Sequence, residues 1–153
     1  MKKLISLLLL MSYSVIADDN EIYVDQVGAT ANIDLEQLGS GNIIGGLNSA
    51  HGSMTPFDLD GTTMTLDVNQ IGNNNKMLGD ITSDTFTGVF DFDGDTNSYT
   101  IQVDPTNTYG ADNSNVNVDV DGNTNTFSLD LATNALASGA DIDTIVQGDS
   151  NTV

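Results

Sequence analysis

Glycine recurs in this chain at a fixed interval. Gly28, Gly39, Gly61, Gly72 and Gly94 stand on one lattice of eleven residues, and the empty lattice points hold the small residues Ala50 and Ser83. Ahead of each point, alternate positions carry one pattern, N-x-φ-x-φ-x-Q-x-G, where φ is apolar. Asn20, Ile22, Val24, Gln26 and Gly28 make one copy; Met64, Leu66, Val68, Gln70 and Gly72 make another. A unit this short cannot bury its own apolar residues. It therefore constrains the chain to a stack of small units, each covered by its neighbours.

Apolar residues at every second position specify β-strand, because successive side chains point to opposite faces. The glycine after each run suits a tight turn with positive φ. Each unit is then a strand of about five residues plus a turn, and two units close a coil of 22 residues. Coils stacked at about 4.8 Å form an all-β β-solenoid with an 11/22-residue repeat. An antiparallel sandwich fits less well, since its loops vary in length and would not hold a constant step. The period breaks where Pro105 takes a lattice point. It resumes through Val116, Val118, Val120 and Gly122, then Asn125, Phe127 and Leu129, and a worn copy runs from Ile142 to Gly148. The expected organisation is a leader over 1–17 and one repeat domain over 18–153, regular over 20–104 and degenerate over 105–153. Residues 104–114 and 132–141 are expected to be irregular.

Lys2 and Lys3 followed by the apolar run Leu4–Ile16 read as a secretory signal, with Val15-Ile16-Ala17 as the cleavage site. The mature chain is expected to begin at Asp18 and to be secreted. The formal charge of −19 becomes −21 once Lys2 and Lys3 are removed, leaving Lys76 as the sole Lys or Arg against 22 acids. Nucleic acid is excluded as a partner, because phosphate contacts need Lys and Arg. With no cysteine, neither disulfides nor thiolate metal sites are available.

No enzyme is expected. His51 is the single histidine and lies in a glycine-rich stretch, without a serine motif, a metalloprotease motif or a phosphate-binding loop. Asp-x-Asp-Gly occurs at 58–61, 91–94 and 119–122, and the middle copy adds Asp95. A turn crowded with carboxylates could hold calcium, with Asp91, Asp93 and Asp95 as the best ligands. Asp and Gly also make good turns unaided, so no cofactor is required. On the 22-residue lattice Glu36, Asp58 and Asp80 stack on successive coils, where like charges repel and restrain uncontrolled aggregation. An ice-binding solenoid would need a regular outward threonine column, which Thr65, Thr87 and the other threonines do not supply on this lattice.

The inward amides are the most specific element. Gln26, Gln37 and Gln70, with Asn48 at an equivalent place, occupy one position of the unit. Asn20, Asn42, Asn75, Asn97 and Asn125 occupy another. Identical amides on successive coils can hydrogen-bond along the stack.

These residues carry a resemblance. Leu66-Asp67-Val68-Asn69-Gln70-Ile71-Gly72-Asn73-Asn74-Asn75 resembles the curlin repeat φ-x-φ-x-Q-x-G-x-x-N, as does the stretch from Ile33 to Asn42, and Ile22 to Gly28 matches its first part. The match is strong over 20–42 and 64–77, so the chain looks like a divergent curlin. The resemblance implies a secreted subunit of functional amyloid fibres that serve adhesion and biofilm matrix. It also implies self or related fibre subunits, and an outer-membrane export machinery, as partners. Gln26, Gln37, Gln70, Asn20, Asn42 and Asn75 would be the ladder residues. Gly28, Gly39, Gly61, Gly72, Gly94 and Gly122 would be the turn glycines. The alternative is a non-polymerising secreted adhesin that binds calcium.

Overall fold

The computed structural model describes residues 20–39, 42–47, 54–72, 74–104, 111–132 and 137–153. The leader, Asn48 and His51 lie outside them. Thirteen strands follow one another: β1 (Glu21–Ile22), β2 (Asp25–Val27), β3 (Thr30–Leu38), β4 (Ile43–Ile44), β5 (Gly46–Leu47), β6 (Met54–Thr55), β7 (Phe57–Ile71), β8 (Lys76–Asp93), β9 (Thr96–Val103), β10 (Asn115–Asp121), β11 (Thr124–Leu131), β12 (Asp141–Gln147) and β13 (Ser150–Thr152). No helix occurs among the described residues.

Apart from the β5–β6 hairpin, every pairing is parallel. One face of the stack runs β1–β4–β8–β9–β11–β13. The other runs from β3 through the second half of β7, the second half of β8 and β10 to β12. The long strands β7 and β8 turn the corner between the faces without a break. This is the β-solenoid that the alternating pattern implies. Residues 111–153, degenerate as sequence, continue the same stack through β10 to β13.

The coils are not uniform. The chain returns to the same position after 22 residues from Glu21 to Ile43, 33 from Ile43 to Lys76, 22 from Lys76 to Ser98, 28 from Thr96 to Thr124 and 26 from Thr124 to Ser150. The second coil carries one extra unit. After Ile44 the chain leaves the sheet, forms the β5–β6 hairpin and rejoins at Phe57; Gly45 N–H donates to Ile22 O and Asp58 N–H to Val24 O. The excursion is one repeat long, so the glycine lattice runs through it undisturbed while the sheet register shifts by eleven.

The core fills the space between the faces by pairing large with small residues. Phe57 opposes Gly79, and a Cβ on Gly79 would strike the Phe57 ring. Gly88 lies between Phe86 and Phe90 in the same way. Phe92 stacks on Tyr99, centroids 3.6 Å apart and planes within 9°. Burial pushes the Tyr99 hydroxyl up in pKa, so it stays neutral.

The corner glycines do not serve positive φ as a class. Gly39 and Gly148 have it, at 139° and 136°; Gly28, Gly61, Gly72, Gly94 and Gly122 do not. Clearance is what four of these five require. A Cβ on Gly72 would meet the carbonyl oxygen of Gly39, one on Gly94 that of Gly72, one on Gly122 that of Gly94, and one on Gly61 that of Gly28. Gly122→Ala is expected to cost about 3 kcal/mol, the upper end for overpacking against backbone. Gly28→Ala meets only the end of the Gln26 side chain at 3.0 Å and should be neutral or stabilising by up to about 1 kcal/mol. Urea unfolding of the two variants, followed by circular dichroism, checks the contrast.

Candidate functional site

The asparagines stand in one column at the corner that each glycine opens. Asn20, Asn42, Asn75, Asn97, Asn125 and Asn151 lie one above another in register. The side-chain amides donate to corner carbonyls, adding a second donor to Ile71 O and Asp93 O, which also accept from Gly39 and Gly72 N–H. Asn42 Nδ2 donates to Gln37 O at 3.1 Å in its own corner and to Ile71 O at 2.9 Å in the next. Asn75 Nδ2 does the same with Gln70 O at 3.1 Å and Asp93 O at 2.8 Å. Further along, the amides also reach each other: Asn97 Nδ2 donates to Asn125 Oδ1 at 2.8 Å, and Asn125 Nδ2 to Asn151 Oδ1 at 3.1 Å.

The glutamine ladder is shorter than the repeat implies. Gln70 Nε2 donates to Gln37 Oε1 at 2.7 Å, and both side chains are buried. The next coil presents Phe92 in that column, then Val120 and Val146. Gln70 Oε1 is left buried without a partner. Gln26 belongs to the opposite face, where Leu59, Ile81 and Val103 follow it. The extra unit of the second coil causes this, because eleven residues exchange one face for the other.

The same shift rearranges the carboxylates. Glu36 does not stack on Asp58; it faces Asn69, then Asp91 and Asp119. Asp58 lies between Asp25 and Asp80. Burial raises the pKa of Asp58 and Asp80, and neighbouring carboxylates add to it: Asp60 and Asp25 for the first, Asp58, Asp60 and Asp104 for the second. Asp91 is raised by burial, then by Asp119, Asp93 and Asp67. Of the calcium candidates, Asp91 and Asp93 point outward from β8, and Asp95, exposed in the corner beyond, accepts from Asn123 Nδ2 at 3.1 Å. Among the described residues no three acidic or histidine side chains gather as a metal cluster.

Hydroxyl columns, which the eleven-residue lattice hides, appear in the true register. Thr30, Thr63 and Thr85 align, as do Thr65 and Thr87. On the other face Thr96, Thr124 and Ser150 align, as do Ser98, Thr126 and Thr152. The mid-chain shift, as long as the repeat itself, separates Thr30 from Thr63 by 33 residues, and steps of 28 and 26 take the Thr96–Thr124–Ser150 column off the lattice.

The chain matches no family model, no curated protein and no solved structure.

Two predictions follow from this geometry. Asn75→Ala removes the side-chain donor from Gln70 O and from Asp93 O, which keeps Gly72 N–H, at about 0.5–1.5 kcal/mol for each bond; thermal unfolding reads the loss. A carboxyl whose folded pKa is raised above its ordinary 3.8 binds more protons folded than unfolded. Its stabilising contribution is full below the unfolded value and is lost as pH rises through the folded one. Melting temperature should therefore rise as pH falls from about 7 toward 4.5, and Asp80→Asn with Asp58→Asn should flatten that slope.

Proposed function

We propose that the chain is a secreted, curlin-like β-solenoid subunit that joins or nucleates extracellular amyloid-like fibres. The observation that carries this reading is the in-register amide set, Gln37 on Gln70 and Asn20 through Asn151, on parallel rungs. In the asparagine column each rung offers the next the same donors and acceptors, so a further chain can continue it beyond Asn20 or Asn151 without new chemistry. Backbone edges support the reading. Among the described residues β1, β2 and β3 have strand partners on one side only, and so have β12 and β13. At the β12 edge the inward Ile142 is still 47% exposed. Growth is then edge-strand addition, with backbone hydrogen bonds supplying affinity and amide columns supplying register. The stacked carboxylates oppose unregistered association, so divalent salt should speed assembly.

Thioflavin-T fluorescence with electron microscopy on the chain from Asp18 tests the proposal. Fibres with a lag that seeding shortens are expected. Gln37→Ala with Gln70→Ala should lengthen the lag several-fold; unchanged kinetics would remove the amide ladder from the mechanism. A monomer that stays soluble with and without millimolar calcium overturns the fibre reading and favours the non-polymerising adhesin.

A further inference from the structure

The first face changes character along the stack. Gln102 and Asp130 end the outward sets of β9 and β11; the other eight outward residues are hydroxyls, Thr96, Ser98 and Thr100 on β9, Thr124, Thr126 and Ser128 on β11, and Ser150 and Thr152 on β13. The registers set them in straight columns: Thr96–Thr124–Ser150, Ser98–Thr126–Thr152 and Thr100–Ser128. All but the half-buried Thr100 are exposed. No charged side chain stands among these eight, in a chain with 22 acids. The charges lie at the border: Lys76 pairs with Ser98 from the rung below, and Asp95 and Asp130 flank the grid.

We propose that this hydroxyl grid is an ice-binding face. Its two repeats are fixed by backbone geometry at about 4.8 Å between rungs and about 6.6 Å between alternate residues on a strand. Both lie close to oxygen repeats on a prism face of hexagonal ice. The threonines are stiff at χ1, so their hydroxyls hold the grid before any ligand arrives. Their methyl groups, set between the hydroxyls, order the first shell of water. A charged group would hold a hydration shell of its own and break the lattice match. That disqualifies the second face, where Asp91 stacks on Asp119 and Asp93 on Asp121. A second copy of the chain is the weaker occupant. The grid spans roughly 13 by 10 Å, far below the ~800 Å² a side of a stable protein interface. Serine is moreover depleted at such interfaces. The inference does not depend on end-to-end assembly, because the grid lies on the side of the stack.

Ice recrystallisation in a frozen sucrose film, annealed just below its melting point, tests it. The purified chain at micromolar concentration should keep crystals small. Thr126→Lys and Thr126→Tyr, in the middle of the grid, should each raise the concentration needed at least tenfold. Asn117→Lys, outward on the second face, should leave it unchanged. Circular dichroism establishes that each variant keeps its β-signature, and the tyrosine variant, a good strand former, guards against misfolding of the lysine one. A chain no better than an equal mass of serum albumin overturns the proposal, as does full activity in both Thr126 variants. Sedimentation velocity reads the competing occupant: a dimer that Thr126→Lys dissolves, without ice activity, assigns the face to self-pairing and overturns the ice reading.

Discussion

In a parallel in-register stack each residue's nearest neighbour outside its own coil is the equivalent residue one coil along, about 4.8 Å away. Every other feature of this molecule answers to that constraint. Where the chain turns a corner, the carbonyl of one glycine lies where the next coil's Cβ would be, so Gly61, Gly72, Gly94 and Gly122 must lack one. The corner carbonyls Ile71 O and Asp93 O accept from Gly39 and Gly72 N–H and keep a second lone pair free for a side-chain donor. An asparagine beside the glycine supplies two N–H donors at the right height, one for its own corner and one for the next, as Asn42 and Asn75 do. Glycine and asparagine thus solve the two halves of one problem, clearance and hydrogen bonding.

The same rule makes charge expensive and amides cheap. Two stacked carboxylates only repel, and Asp80 between Asp58 and Gln102 shows the outcome, a pKa raised by burial and by its neighbours. Two stacked amides donate and accept in turn, as Gln70 does to Gln37 and Asn97 to Asn125. Inward positions without an amide are filled by volume matching. Phe57 over Gly79, and Phe86 and Phe90 around Gly88, show that a glycine in an apolar column is the partner of an aromatic ring rather than a worn repeat.

Strand identity, the inward and outward sets and the closed all-β stack were legible in the sequence, because period two and a fixed turn spacing have a single physical meaning. The pairing register was not. The β5–β6 hairpin removes one unit of eleven from the sheet, and a lattice of eleven cannot report the loss of eleven. The lost unit pairs Gln37 rather than Gln26 with Gln70, and sets Asp25 rather than Glu36 against Asp58. The later slips at Asp104 and Ala132, both at positive φ, were legible because 28 and 26 are not multiples of the period.

That hidden shift also decides where charge and hydroxyl go. With the extra unit looped out, Asp25 joins Asp58 and Asp80 on the first face; the later 28-residue step sets Asp91 and Asp93 over Asp119 and Asp121 on the second. The outward positions of β9, β11 and β13 carry threonine and serine as far as Thr100 and Ser128, beyond which Gln102 and Asp130 follow. A uniform 22-residue coil would have set Thr63 over Gly41 rather than over Thr30, and Asp58 over Glu36 rather than over Asp25. The ejected repeat adds Asp25 and Thr30 to columns that the later 22-, 28- and 26-residue steps continue. Segregation of this kind gives a highly acidic solenoid one lateral patch where hydroxyl stacks on hydroxyl and the charges, Lys76, Asp95 and Asp130, stand at its border.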